Sequence, residues 1–133
     1  MRVVAGLELG GTKAIALLAR GTEILEQAIF STRSPAETLE EAAAWLAARR
    51  SGFAALGIAS FGPVRVSAGA ADYGTILRTP KAGWSDTPLL PWFAGLGVPI
   101  GIDTDVNAAA LAEQAWGAGQ GCSSLVYLTV EPG

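Results

Sequence analysis

The stretch Val3-Val4-Ala5-Gly6-Leu7-Glu8-Leu9-Gly10-Gly11-Thr12-Lys13-Ala14-Ile15-Ala16-Leu17-Leu18-Ala19 decides the fold class. Val3–Leu9 is a near-continuous apolar run, residues 14–19 are another, and Gly10-Gly11 separates them, which is the pattern of two strands joined by a tight turn. A P-loop would need Gly-Lys followed by Ser or Thr; here the order is Gly-Thr-Lys, and residues 14–18 read as a strand and not a helix. The turn is either a plain hairpin or a place where backbone N–H groups and the Thr12 hydroxyl meet a phosphate, because glycine lets the backbone come close. Lys13 favours the second reading. The sequence has just two lysines, Lys13 and Lys81, and a lysine is a mobile point charge suited to phosphate oxygens, an exposed solubilising role being the alternative.

Working outward, Arg20-Gly21-Thr22 is a second turn and Glu23–Ser31 a third strand, so the first thirty residues predict an antiparallel meander. Ser34 can cap a helix whose first position is Pro35. Glu37, Glu40 and Glu41 lie near its positive end, Leu39, Ala42, Ala43 and Leu46 form its apolar stripe, and Arg49-Arg50 before Ser51-Gly52 closes it. Residues 55–60 predict a fourth strand, and from 64 to 88 the periodicity is lost. A short helix over 89–96, a strand over 98–102, a long helix from Asp103-Thr104-Asp105 through Ala118 and a strand over 125–130 complete the order βββ-α-β-loop-α-β-α-β. That order implies an α/β fold: a mixed sheet, in which the three-strand meander is continued by parallel strands, with flanking helices.

Composition removes whole classes of chemistry. There is no histidine, so Ser-His-Asp and Cys-His triads and histidine metal sites are excluded, and the lone Cys122 can neither close an internal disulfide nor complete a four-ligand zinc site. A net charge of −3 argues against a nucleic-acid footprint. The absence of an apolar leader or a long apolar span predicts a cytoplasmic protein without membrane attachment. Half of the 133 residues are apolar, enough for one genuine core. Trp45 and Cys122 read as core or near-core, and Glu23 and Glu26 as a solvated face.

Two further segments bear chemistry. Asp103-Thr104-Asp105-Val106-Asn107 lies where a strand ends and a helix begins, the usual ligand position in α/β sheets. Asp105 can take a proton from a substrate hydroxyl that Thr104 or Asn107 holds, although one aspartate can equally serve only as a helix cap. The long loop, with Ser60-Phe61-Gly62-Pro63 before it and Tyr73-Gly74 and Thr79-Pro80-Lys81-Ala82-Gly83-Trp84 within it, either lines a sugar pocket or packs on itself.

In this order, Glu8-Leu9-Gly10-Gly11-Thr12-Lys13, Gly57-Ile58-Ala59-Ser60-Phe61-Gly62-Pro63-Val64, the Tyr73 to Trp84 segment and Asp103-Thr104-Asp105-Val106-Asn107-Ala108-Ala109 resemble the ROK sugar kinases of the actin-like ATPase superfamily, fructokinase branch. The resemblance covers almost the whole chain. It implies an actin-like, ribonuclease H-like lobe and ATP-dependent phosphorylation of a hexose hydroxyl, fructose to fructose 6-phosphate, with Mg²⁺. It assigns Asp105 as general base; Glu8, Gly10, Gly11, Thr12 and Lys13 to ATP; and Gly62, Pro63, Lys81, Thr104 and Asn107 to the sugar. Pro80-Lys81-Ala82 stands where the glucokinase-like branch has a sugar-contacting Asn, which favours fructose. Where relatives carry a second motif, Thr-Val-Gly-Thr-Gly-Ile-Gly, this sequence reads Thr129-Val130-Glu131-Pro132-Gly133. The family's zinc-binding His/Cys cluster is not in this sequence. The expectation is an N-terminal lobe over residues 1–133, inactive or nearly so by itself and prone to self-association or homo-oligomers. Two rivals stand beside it: a non-catalytic sugar-sensing or assembly protein, and a Mg²⁺-dependent hydrolase using Asp103 and Asp105.

Overall fold

The N-terminal stretch folds as two antiparallel strands, β1 (Val3–Leu9) and β2 (Lys13–Arg20), and β3 (Glu23–Ser31) completes the meander. The computed structural model describes residues 2–62, 64–65, 71–79, 81, 83–104 and 108–121, the last four by backbone only. β2 begins one residue earlier than its apolar run suggests, because Lys13 pairs with Ser31 across the ladder. After helix α1 (Pro35–Ala47) the chain enters β4 (Leu56–Ser60), which pairs in parallel with β1, and later β7 (Ile100–Asp103), which pairs in parallel with β4. The sheet order is therefore β3-β2-β1-β4-β7, the mixed arrangement expected.

The capping sequence works as read. The Glu37 N–H donates to Ser34 Oγ at 3.2 Å and the Ser34 N–H reaches Glu37 Oε1 at 3.5 Å, a reciprocal box worth about 1 kcal/mol. The helix closes earlier than predicted, with Ala48 as its C-cap and residues Arg50–Gly52 in a 3₁₀ turn. The arginines leave it for better partners: Arg49 lies over the Trp45 ring and donates to Glu26 at 2.8 Å, while Arg50 donates to the carbonyls of Leu96 and Phe53. The Glu26 carboxylate is thus both solvated and ion-paired.

The stretch from 64 to 88 is not wholly irregular. It contains a two-stranded antiparallel ribbon, β5 (Thr75–Ile76) and β6 (Thr87–Pro88), to which Val64 adds a bridge with Ile76. Two-residue strands carry no readable alternation, so sequence pattern alone could not show them. Beyond it come α2 (Leu90–Phe93), a 3₁₀ turn at Ala94–Leu96, β7 and α3 (Ala108–Gly121). The strand predicted over 125–130 and Cys122 lie outside the described residues.

Each face of the sheet has its own cover. Leu7, Leu9, Leu18 and Ile58 project to one side and pack with Leu39, Ala42 and Leu46 of α1 and with Trp84 and Phe93, all buried; each large side chain contributes about 2 kcal/mol by leaving water. The other side is flat where three strands meet. Gly6, Gly57 and Gly101 are direct register partners on β1, β4 and β7, and α3 lies against them. A Cβ on Gly57 would stand 1.9 Å from the Ala108 carbonyl oxygen and 2.6 Å from the Ala112 nitrogen, so only glycine admits the helix at this distance. Arg2 fastens the far end, donating to Glu113 at 2.9 Å while lying over the Trp116 ring. No helix among the described residues is long and apolar enough to cross a membrane.

Candidate functional site

Because β1, β4 and β7 run parallel, their C-terminal ends open at one edge of the sheet, and the β1–β2 turn lies at the same edge. The Phe61 N–H donates to the Leu9 carbonyl at 3.0 Å and carries the β1–β4 pairing one residue past the strand. A cleft of about 530 Å³ forms here, lined by Glu8, Gly10, Thr12 and Lys13 with Ile15, Ser60 and Phe61. Four of the five residues assigned to the nucleotide are therefore brought together with the exit of β4. The fifth, Gly11, is exposed at the tip between Gly10 and Thr12.

The turn itself is closed by the Gly10 N–H, which donates to the Lys13 carbonyl at 2.9 Å. The N–H groups of Gly11 and Thr12 donate to no acceptor among the described residues, and the exposed Lys13 forms no ion pair there. Gly10 and Gly11 both keep negative φ, so their value lies in leaving the turn bare rather than in permitting a left-handed bend. Two free N–H donors and an ammonium at the mouth of a cleft make an anion-binding arrangement.

Two carboxylates lie on one row across the sheet, and Glu8 is also in the cleft lining. Glu8 is in register with Ala59, and Ala59 with Asp103, so Glu8 and Asp103 project from the α3 face two strands apart, about 10 Å by strand spacing. Asp103 is 1% exposed, and its Oδ1 accepts the Thr104 N–H at 2.7 Å. That bond lies within the turn leaving β7, five residues before α3 begins at Ala108, and is not a helix cap. Among the described residues no group of three or more His, Cys, Asp or Glu is placed to hold a metal ion.

On the sugar side the structure joins some residues and separates others. Gly62 meets Thr104, whose Cγ2 would lie 2.7 Å from a Cβ placed on Gly62, so the turns after β4 and β7 touch. Lys81 does not line the cleft. Its loop reaches the cleft wall indirectly, through Trp84, whose ring stands edge-on to Phe61 at 5.3 Å. Asp105, Asn107 and Pro63 lie outside the described residues. The residues bracketing Asp105 do not: Thr104 abuts Gly62, and Ala108 lies over Gly6 and Gly57. Sequence reading missed Thr32, between the end of β3 and the α1 cap, whose hydroxyl donates to the Gly10 carbonyl at 2.9 Å. A lone Thr after a strand gives no sign of that partner, 22 residues away.

With this geometry in place, the family model described as "ROK family" matches residues 4–133. The chain belongs to the ROK family. A fructokinase of Zymomonas mobilis is 38% identical over 99% of this chain and 46% of its own length, and a fructokinase of Lactococcus lactis is 35% identical over 96% and 43%. The solved structure of a ROK family glucokinase from Streptomyces griseus, in complex with glucose and AMPPNP, superposes with a TM-score of 0.64 at 29% identity, covering 90% of this chain and 38% of that one. The mixed sheet with flanking helices is thus that of the actin-like ROK kinases. The chain spans less than half the length of the curated relatives it matches.

Proposed function

We propose that residues 1–133 form the N-terminal lobe of a fructokinase-type hexose kinase, which transfers the γ-phosphoryl group of ATP to fructose and gives fructose 6-phosphate. The observation that carries this reading is the Gly10–Lys13 turn: its Gly11 and Thr12 N–H groups find no acceptor among the described residues, and its Gly10, Thr12 and Lys13 line one cleft with Glu8. Phosphoryl transfer needs little covalent help from a protein; it needs donors and charge at the phosphates and a base at the acceptor. The Gly11 and Thr12 N–H groups and Lys13 supply the first. Glu8 fits Mg²⁺, which takes one or two protein carboxylates and completes its shell with water and phosphate oxygens. Bound there, the ion would neutralise charge developing on the phosphates. Asp105 takes the proton from the attacking sugar hydroxyl, with Thr104 and Asn107 orienting that hydroxyl and Gly62, Pro63 and Lys81 belonging to the sugar side. The reading places the protein in the cytoplasm, without nucleic-acid or membrane partners.

Such chemistry takes place between two lobes that close on their substrates. This chain alone is expected to release ADP from ATP and fructose at less than about a thousandth of the rate of a full-length relative in a coupled assay; a comparable rate would refute the single-lobe reading.

The same reading accounts for the exposed face of β3. Ile24 and Ile29 are 54% and 58% exposed on β3, the strand at the edge of the sheet. Exposed apolar residues on an edge strand promote association, and charge on such a strand prevents it. The chain is expected to self-associate at tens of micromolar, and Ile24→Lys with Ile29→Lys to make it monomeric in sedimentation equilibrium. A parent chain that stays monomeric would count against it.

A further inference from the structure

The link between β3 and α1 is held from three directions. The Arg33 N–H donates to Oγ1 of the buried Thr38 at 2.8 Å, the Arg33 carbonyl accepts Trp84 Nε1–H at 2.9 Å, and the Thr32 N–H donates to the Thr12 carbonyl at 3.0 Å. Trp84 itself is fully buried. Thr32 is therefore a fixed point, and its hydroxyl spends its proton on the Gly10 carbonyl at 2.9 Å.

That bond constrains the neighbouring donor. The Gly10 carbonyl and the Gly11 N–H belong to one planar trans peptide, so they point in opposite directions. Holding the carbonyl toward Thr32 holds the N–H away from it, where it meets no acceptor among the described residues. Between two glycines such a peptide flips easily, since neither residue has a Cβ to oppose the rotation. A flipped peptide would present a carbonyl oxygen to an incoming anion in place of an N–H. We propose that Thr32 is a positioning residue for the anion-binding turn: its hydroxyl blocks this flip and keeps the Gly11 N–H available to polyphosphate. The proposal rests on the nucleotide-turn reading above, and it concerns a residue outside the lining of the cleft.

The test uses this chain with tripolyphosphate and ATP as probes and tracks the Gly11 amide by NMR. Thr32→Val removes the hydroxyl at nearly constant shape, and Thr32→Ser restores it. If loss of the clamp leaves the turn competent about a tenth of the time, apparent affinity falls about tenfold, by the competent fraction. The expected result is that fall in Thr32→Val for both probes, with exchange broadening of the Gly11 amide on the microsecond-to-millisecond scale, and recovery of both in Thr32→Ser. Unchanged affinity and a quiet Gly11 amide in Thr32→Val would overturn the proposal, as would a Thr32→Ser variant no better than Thr32→Val. If the parent chain binds neither probe, the nucleotide-turn reading falls by itself, and Gly11 broadening in Thr32→Val still decides the clamp. Should Thr32→Val not fold, the parent chain gives the answer: a slowly exchanging Thr32 hydroxyl proton supports the bond, and one lost to rapid exchange with water overturns it.

Discussion

Replacing Gly57 by alanine is expected to lower stability by about 3 kcal/mol and the melting temperature by about 10 °C, measured by thermal and urea unfolding. The added Cβ would lie 1.9 Å from one backbone atom of α3 and 2.6 Å from another. No rotamer can relieve a collision with backbone, so the helix must lift from the sheet. In lifting, α3 loses its contacts along three strands, and buried Leu111, Ala112 and Ala115 lose their close packing. A loss of about 3 kcal/mol is a large share of the roughly 5–15 kcal/mol that holds an ordinary domain together. Gly52→Ala supplies the control. A Cβ there meets nothing within 4 Å and φ is not positive, so a change within about 0.5 kcal/mol is expected. Equal effects from the two substitutions would mean that α3 does not rest on the glycine row.

That row also shows where sequence reading stops. The strands bearing Gly6, Gly57 and Gly101 were each legible from their apolar runs, and the meander, the capped helix α1 and the mixed sheet follow from local pattern. Alignment of three glycines across neighbouring strands depends on register, which is fixed by pairings about fifty residues apart. The site divides in the same way. The Gly10-Gly11-Thr12-Lys13 turn and the exit of β4 were recognisable as segments, and their meeting in one cleft depends on the parallel pairing of β1 with β4. Thr32 lies one step further off. Its role arises from a hydroxyl meeting a carbonyl across the hairpin, and neither residue type signals it. The arginines that close α1 on paper have better offers in three dimensions, from Glu26 and from the Leu96 and Phe53 carbonyls.

In a full-length form carrying both lobes, Asp105→Asn is expected to lower kcat by a factor of roughly 10² to 10⁴, the usual contribution of a positioned general base, and to change sugar affinity by less than about twofold. The substitution separates the two roles open to this residue. Asn caps a helix about as well as Asp does, so if Asp105 only begins α3, activity and melting temperature stay nearly unchanged. If it removes the proton from the sugar hydroxyl, the amide keeps the shape and the hydrogen bonding but cannot accept that proton. Asp103 provides the contrast. It is buried, and its carboxylate accepts the Thr104 N–H at 2.7 Å, so Asp103→Asn is expected to act first on stability, by leaving a half-buried N–H with a weaker or misdirected partner. A paired-carboxylate hydrolase makes the opposite demand: both substitutions would abolish a turnover that needs no ATP. Loss of ATP-dependent turnover in Asp105→Asn, with fructose binding intact and the fold unshaken, is the one combination that neither a helix cap nor a hydrolase produces.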